Sequence, residues 1–290
     1  NHSWRNRGRS AAVGHQSVSL PPEQPGLPLR AFVPNAITAL ALCSGLSGVR
    51  YAISAAGDPA ATSYWQLSIA CIVGAGVLDG VDGRVARMLR ANSRFGAELD
   101  SLSDNIAFGT APALILFLWS LQQSPKFGWT VALALAVACA LRLARFNAQI
   151  DTKDQPHKSA GFNTGVPAPV GAGLAFIPLY LWLITGYEAF RSWTLVMPWT
   201  LLIAGLMISS VPTYTWSSIR LRSGWRLFAL AGVALTGAAL ISDPWVTLLA
   251  ISSLYLATIP FSIASYAKVK QRRAARAGPT PAASGPADSA

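Results

Sequence analysis

The chain has 290 residues, 52% hydrophobic and only 12% charged, with a mean hydropathy of +0.40. That balance excludes an ordinary soluble enzyme and indicates a polytopic membrane protein. The net charge of +11 and pI near 10.1 would also suit a nucleic-acid binder, but such a protein would not carry long apolar segments, so the basic excess is assigned to an anionic lipid membrane and no nucleic-acid partner is expected.

In chain order, residues 1–29 are polar and rich in Arg, Ser, Pro and Gln, with no apolar stretch after the early arginines. They read as a disordered basic tail rather than a signal peptide. A transmembrane catalytic domain is expected over 30–270, and a disordered Ala-, Gly- and Pro-rich tail over 271–290. Eight apolar segments, near 33–54, 63–82, 103–122, 128–147, 167–186, 196–213, 226–242 and 246–266, each approach the length needed to span a bilayer. The fold class is therefore all-α, a bundle of about eight transmembrane helices. Cys43, Cys71 and Cys139 lie within apolar runs without paired spacing and read as small buried hydrophobes. His2, His15 and His157 form no ligand pattern.

With eight spans and the N-terminus inside, only Arg50, Lys126 and Arg191 of the 23 Lys and Arg residues fall on the outer side. The positive-inside rule then puts both termini in the cytoplasm. It also puts there the stretch that holds the chemistry, Leu78 to Asn105. Five of the twelve acidic residues, Asp79, Asp82, Glu98, Asp100 and Asp104, lie within it. At 100° per residue, Asp79, Asp82, Gly83 and Ala86 share one helix face, with Arg87 at its edge, and Gly96, Asp100 and Asp104 share a face of a second helix. Two such faces closing on each other would gather four carboxylates, which repel unless cations lie between them. Hard oxygen donors select Mg²⁺ or Mn²⁺. Gly83, Ala86 and Gly96 leave the faces without bulk, and Arg87 offers a fork for phosphate.

The pattern D-x2-D-G-x2-A-R-x8-G-x3-D-x3-D, complete from Asp79 to Asp104, resembles the signature of the CDP-alcohol phosphatidyltransferases. Secondary motifs narrow the likeness over about residues 30–225. Arg142-Leu143-Ala144-Arg145-Phe146-Asn147, Gly165-Val166-Pro167-Ala168-Pro169 and Ser210-Val211-Pro212-Thr213-Tyr214 are similar to the branch of bacterial membrane phosphatidylserine synthases. The resemblance implies a homodimer of the bacterial inner membrane. It implies transfer of the phosphatidyl group of CDP-diacylglycerol to L-serine with release of CMP. Two metal ions would be held by Asp79, Asp82, Asp100 and Asp104, with Asp104 as general base. The nucleotide-lipid would be bound by Asn35, Thr38, Asp82, Gly83, Ala86, Arg87 and Gly96.

Three secondary stretches have bland readings as well. Asn35 either caps a helix after Pro34 or lines the nucleotide pocket with Thr38. Arg142 and Arg145 suit a helix C-terminus, or clamp the serine carboxylate from one shared face. Residues 161–169 are a turn-rich loop, or a lid over the substrates. Two rivals stand beside the main reading. The acceptor could be another alcohol, such as choline, glycerol 3-phosphate or inositol phosphate, or the protein could be a divalent-cation carrier. A carrier would leave Gly83, Ala86, Arg87 and Gly96 unexplained.

Overall fold

A computed structural model describes residues 29–58, 62–90, 93–150, 162–209, 212–214 and 226–276. Expectations for the N-terminal tail, for His2, His15, His157 and Gly161, and for the last residues of the C-terminal tail lie outside them. The chain folds into ten α-helices among these residues: α1 Leu29–Gly57, α2 Thr62–Met88, α3 Arg94–Asn105, α4 Ala111–Trp119, α5 Gly128–Ile150, α6 Ala168–Ala175, α7 Ile177–Thr185, α8 Trp193–Ile208, α9 Arg226–Ser242 and α10 Pro244–Arg276. Two three-residue strands, β1 Phe162–Thr164 and β2 Pro212–Tyr214, pair antiparallel, with Asn163 opposite Thr213.

The protein is an all-α integral membrane protein, and every apolar segment of the sequence overlaps a helix. The count of eight spans is not confirmed. Four helices are long and apolar enough to cross a membrane by length and composition, Phe32–Gly57, Arg94–Trp119, Gly128–Ala148 and Pro244–Phe261. The α6–α7 pair, bent by 41°, makes a fifth if read as one span. Pro178 near the start of α7 supplies no backbone N–H to the preceding turn, which accounts for the break. The segments at 196–213 and 226–242 yield shorter apolar helices, Trp193–Ile208 and Leu230–Ser242; the first is short because α8 stops at Ile208 and the residues expected to end its span include β2 instead.

Other boundaries also move. The third span begins at Arg94 rather than 103, since α3 runs through a π-helical turn at Ile106–Thr110 directly into α4. The second half of the motif and the following span thus form one rod. Helix α1 begins at Leu29, so Pro34 lies inside it and Asn35 is not a helix cap. Helix α10 continues to Arg276, past residue 271 where the sequence suggests a tail.

Small residues set the packing around the motif. In lipid there is little hydrophobic drive between helices, so association relies on close backbone approach and hydrogen bonds. A Cβ on Gly48 would come within 2.9 Å of the Ser68 carbonyl oxygen, and one on Gly45 within 2.9 Å of Ala107. Ser68 Oγ donates to the Gly48 carbonyl at 2.8 Å, and Ser44 Oγ to that of Cys71 at 2.7 Å. These contacts lock α1 against α2 and against the π-turn. Gly109 in that turn meets Cys139 of α5, where a Cβ would lie 2.7 Å from the cysteine Cβ. Cys139 is fully buried, as its sequence setting suggests, whereas Cys43 is exposed on the surface of α1 and Cys71 is half-buried. Leu46, Ile53, Leu133, Val137 and Val233 are exposed on the outer surface, where a membrane protein presents apolar side chains to lipid.

Candidate active site

Helices α1, α2 and α3 converge at the motif. Ser93 caps α3, its hydroxyl accepting the Gly96 N–H at 3.0 Å, which fixes where the helix starts and hence which face carries Asp100 and Asp104. Carboxylate oxygens of Asp79, Asp82 and Asp100 lie within 4.8 Å of one another. Asp104 adjoins them, and Asp79 is the carboxylate that acts on it most strongly. The two helix faces therefore close on each other as the spacing predicts, with three carboxylates grouped tightly and the fourth adjoining.

The charges that act on these groups are chiefly each other. Asp100 feels Asp82 and Asp79, and Asp104 feels Asp79, Asp100 and Asp82. Like charges this close cannot all remain ionised without counter-charge. An all-oxygen donor set of this kind fits a hard divalent cation such as Mg²⁺ or Mn²⁺. Asp82 is the most enclosed member, only 4% exposed, and Thr38 Oγ1 donates to its Oδ2 at 2.6 Å.

The glycines of the motif have different causes. A Cβ on Gly83 would meet nothing within 4 Å, so packing does not demand a glycine there and the bare surface is open to a ligand. A Cβ on Gly96 would come within 2.9 Å of Asn35 Oδ1, so Gly96 admits the Asn35 side chain between α1 and α3. Ala86 is half-buried on α2. Arg87 is exposed and its Nε donates to the Gly83 carbonyl at 3.0 Å, which leaves the terminal amino groups for another partner.

Arg142 on α5 lies within electrostatic reach of Asp104, Cys139 and Tyr255, and its Nε is buried without a hydrogen-bond partner. Arg145, one turn further, is half-buried. Asn147 Nδ2 donates to Ser101 Oγ at 3.0 Å, fastening the end of α5 to α3.

Several neighbours have no counterpart in the sequence argument. Ser103 Oγ donates to the Thr38 carbonyl at 3.2 Å, Asn105 Oδ1 is buried without a partner, and Tyr255 arrives from α10. Ser103 and Asn105 flank Asp104, and adjacency to the motif is the one signal that could have found them. Within the described part of this stretch, 162–169, β1 comes first and the chain turns at Gly165, whose φ of +78° places it in the left-handed region. A Cβ there would also lie 2.8 Å from the Met207 carbonyl oxygen.

Comparison with known proteins identifies the family. The CDP-alcohol phosphatidyltransferase family model matches residues 31–209, and a second, CDP-alcohol phosphatidyltransferase 2, matches residues 224–260. The chain belongs to the CDP-alcohol phosphatidyltransferase family. The CDP-diacylglycerol–serine O-phosphatidyltransferase of Mycobacterium tuberculosis is 36% identical over 256 residues, 84% of this chain and 86% of that protein. The enzyme of the same name from Mycobacterium leprae is 37% identical over 232 residues, 80% of this chain and 74% of its own length. That of Helicobacter pylori is 34% identical over 188 residues, 63% and 72% of the two chains. A CDP-alcohol phosphatidyltransferase is a membrane phosphotransferase, generally dependent on divalent metal, and the acidic cluster suits that dependence.

Proposed function

We propose that the protein transfers the phosphatidyl group of CDP-diacylglycerol to the hydroxyl of L-serine, giving phosphatidylserine and CMP. The observation that carries this reading is the grouping of Asp79, Asp82 and Asp100 within 4.8 Å beside Asp104, in a family whose relatives at 34–37% identity bear that activity in their names. The serine oxygen attacks the phosphorus of the phosphatidyl group, the bond from that phosphorus to CMP breaks, and the hydroxyl proton passes to Asp104. Asp79, Asp82, Asp100 and Asp104 would hold two divalent ions, Mg²⁺ or Mn²⁺. Bound there, these ions would neutralise the pyrophosphate and stabilise the departing CMP.

Arg87 binds a phosphate of the nucleotide-lipid, and the open surface at Gly83 and Ala86 accepts its backbone. Asn35 and Gly96 form the wall between α1 and α3. Arg142, whose buried Nε is unpaired, receives the serine carboxylate, which would otherwise lose its hydration without compensation. Arg145 supports it from the next turn. The distribution of Lys and Arg supports an orientation with the site and both termini in the cytoplasm, across a bacterial inner membrane. The functional unit is read as a homodimer.

The test is to supply purified protein with CDP-diacylglycerol and, separately, serine, choline, glycerol 3-phosphate, inositol phosphate and water, and to identify the lipid formed. Phosphatidylserine from serine alone is expected. A different lipid would reassign the acceptor, and no CMP release with any alcohol would overturn the enzyme reading.

A further inference from the structure

The chain Ser103–Thr38–Asp82 crosses three helices and is buried throughout. Thr38 is 5% exposed, Asp82 4% and Ser103 3%. The Thr38 hydroxyl has one proton and two acceptors in range, the Pro34 carbonyl at 3.1 Å and Asp82 Oδ2 at 2.6 Å. The shorter contact, to an acidic acceptor, takes the proton. The Thr38 backbone is held in turn, because its carbonyl accepts from Ser103 Oγ at 3.2 Å. Helix α3, which carries Asp100 and Asp104, thus positions the residue on α1 that orients a carboxylate on α2.

We propose that Thr38 is a positioning residue for the cation site: its hydroxyl holds one oxygen of Asp82, so that the carboxylate presents the other toward Asp79 and Asp100. This rests on the cation reading of the three carboxylates. With its one proton given to Asp82, the Thr38 hydroxyl could meet a nucleotide only as an acceptor. A carboxylate with two free oxygens can rotate about its terminal bond, and that torsion is broad. Fixing one oxygen removes the freedom before any ion arrives, and outer-shell partners of this kind typically affect metal affinity about 10–100-fold.

The experiment measures Mn²⁺ binding to the purified full chain in detergent, without CDP-diacylglycerol, by the loss of the free-ion paramagnetic resonance signal. Thr38→Val keeps the shape and removes the donor. Its Mn²⁺ dissociation constant should rise by about tenfold or more, while Thr38→Ser, which keeps the hydroxyl, should recover most of the affinity. Ser103→Ala should weaken binding less than Thr38→Val. Thr38→Ala serves in place of the valine variant should that one not fold. Unchanged Mn²⁺ affinity in the donor-less variant, whether KM for CDP-diacylglycerol rises or only the melting temperature falls, would overturn the proposal. Absence of Mn²⁺ binding by the unaltered chain would overturn the cation reading itself, and the Thr38 proposal with it.

Discussion

The two ends of α2 handle charge in opposite ways. Trp65 near its start and Asp79 are separated by about 21 Å along the helix. At the Trp65 end, the Arg191 guanidinium lies 5.9 Å from the Trp65 ring centroid and 5.5 Å from that of Trp182. Its Nε donates to the Trp119 carbonyl at 2.9 Å, its own carbonyl accepts from Ser120 Oγ at 2.6 Å, and Trp182 Nε1 donates to Glu188 at 3.0 Å. The cation is matched on several sides, and the unpartnered group there, the Trp119 indole N–H, is neutral. At the Asp79 end, four carboxylates act mainly on one another, and a nearby arginine keeps a buried Nε unpaired. A charge matched by its own protein is fastening structure. Charges left unmatched in a largely apolar protein are waiting for something else, and polar groups of that kind mark function in membranes.

Six substitutions break or sharpen that contrast. The largest effect is expected for Asp79→Asn or Asp100→Asn, each of which removes one charged donor from the tight group. Turnover should fall by more than the roughly 100-fold typical of outer-shell changes, while the thermal midpoint holds or rises because fewer like charges crowd together. Asp104→Asn comes next. As the proton acceptor it should lose kcat by about 10²–10⁴-fold, yet retain Mn²⁺ binding through Asp79, Asp82 and Asp100. Loss of Mn²⁺ binding in that variant would make Asp104 an essential ligand instead.

Arg142→Ala tests the unmatched cation. A charged hydrogen bond contributes about 1.5–3 kcal/mol, so KM for serine should rise by roughly tenfold or more with KM for CDP-diacylglycerol much less affected. Arg145→Ala should raise it less. The smallest effect on catalysis belongs to Arg191→Ala, at the matched end. It should lower the melting temperature, in line with a loss of about 1–3 kcal/mol from one hydrogen bond and two ring contacts. Serine-dependent turnover at low temperature should stay near that of the unaltered chain.

Much of the site was legible because helical spacing converts sequence into faces. Asp79 and Asp82 at i and i+3, and Asp100 and Asp104 at i and i+4, needed only two helices and a short connection to meet. What local spacing does not encode is which element lies across from a given face. Ser103 reaches Thr38 over 65 positions, and Gly96 makes room for Asn35 on another helix. The extended run at Pro212–Tyr214 looked like the end of a span because its partner, Phe162–Thr164, lies far earlier in the chain. Asp104 adjoins the tight group, where spacing alone suggested four equal members, and a π-helical turn follows it immediately. Such turns are frequent at functional sites, yet nothing in Ile106–Thr110 announces one. The count of eight spans is not confirmed, and at 196–213 the physical reason is plain, since an apolar run need not be helical along its whole length.

The central claim, that the unmatched carboxylates serve divalent-cation-dependent phosphatidyl transfer, is tested most directly by CMP release. Purified protein is stripped with a chelator and given CDP-diacylglycerol and serine, then Mn²⁺ or Mg²⁺ is restored, for the unaltered chain and for Asp79→Asn. The account predicts no CMP after chelation, recovery on adding the cation, and no recovery in the variant. CMP release that persists through chelation, or equal release by Asp79→Asn, would contradict it.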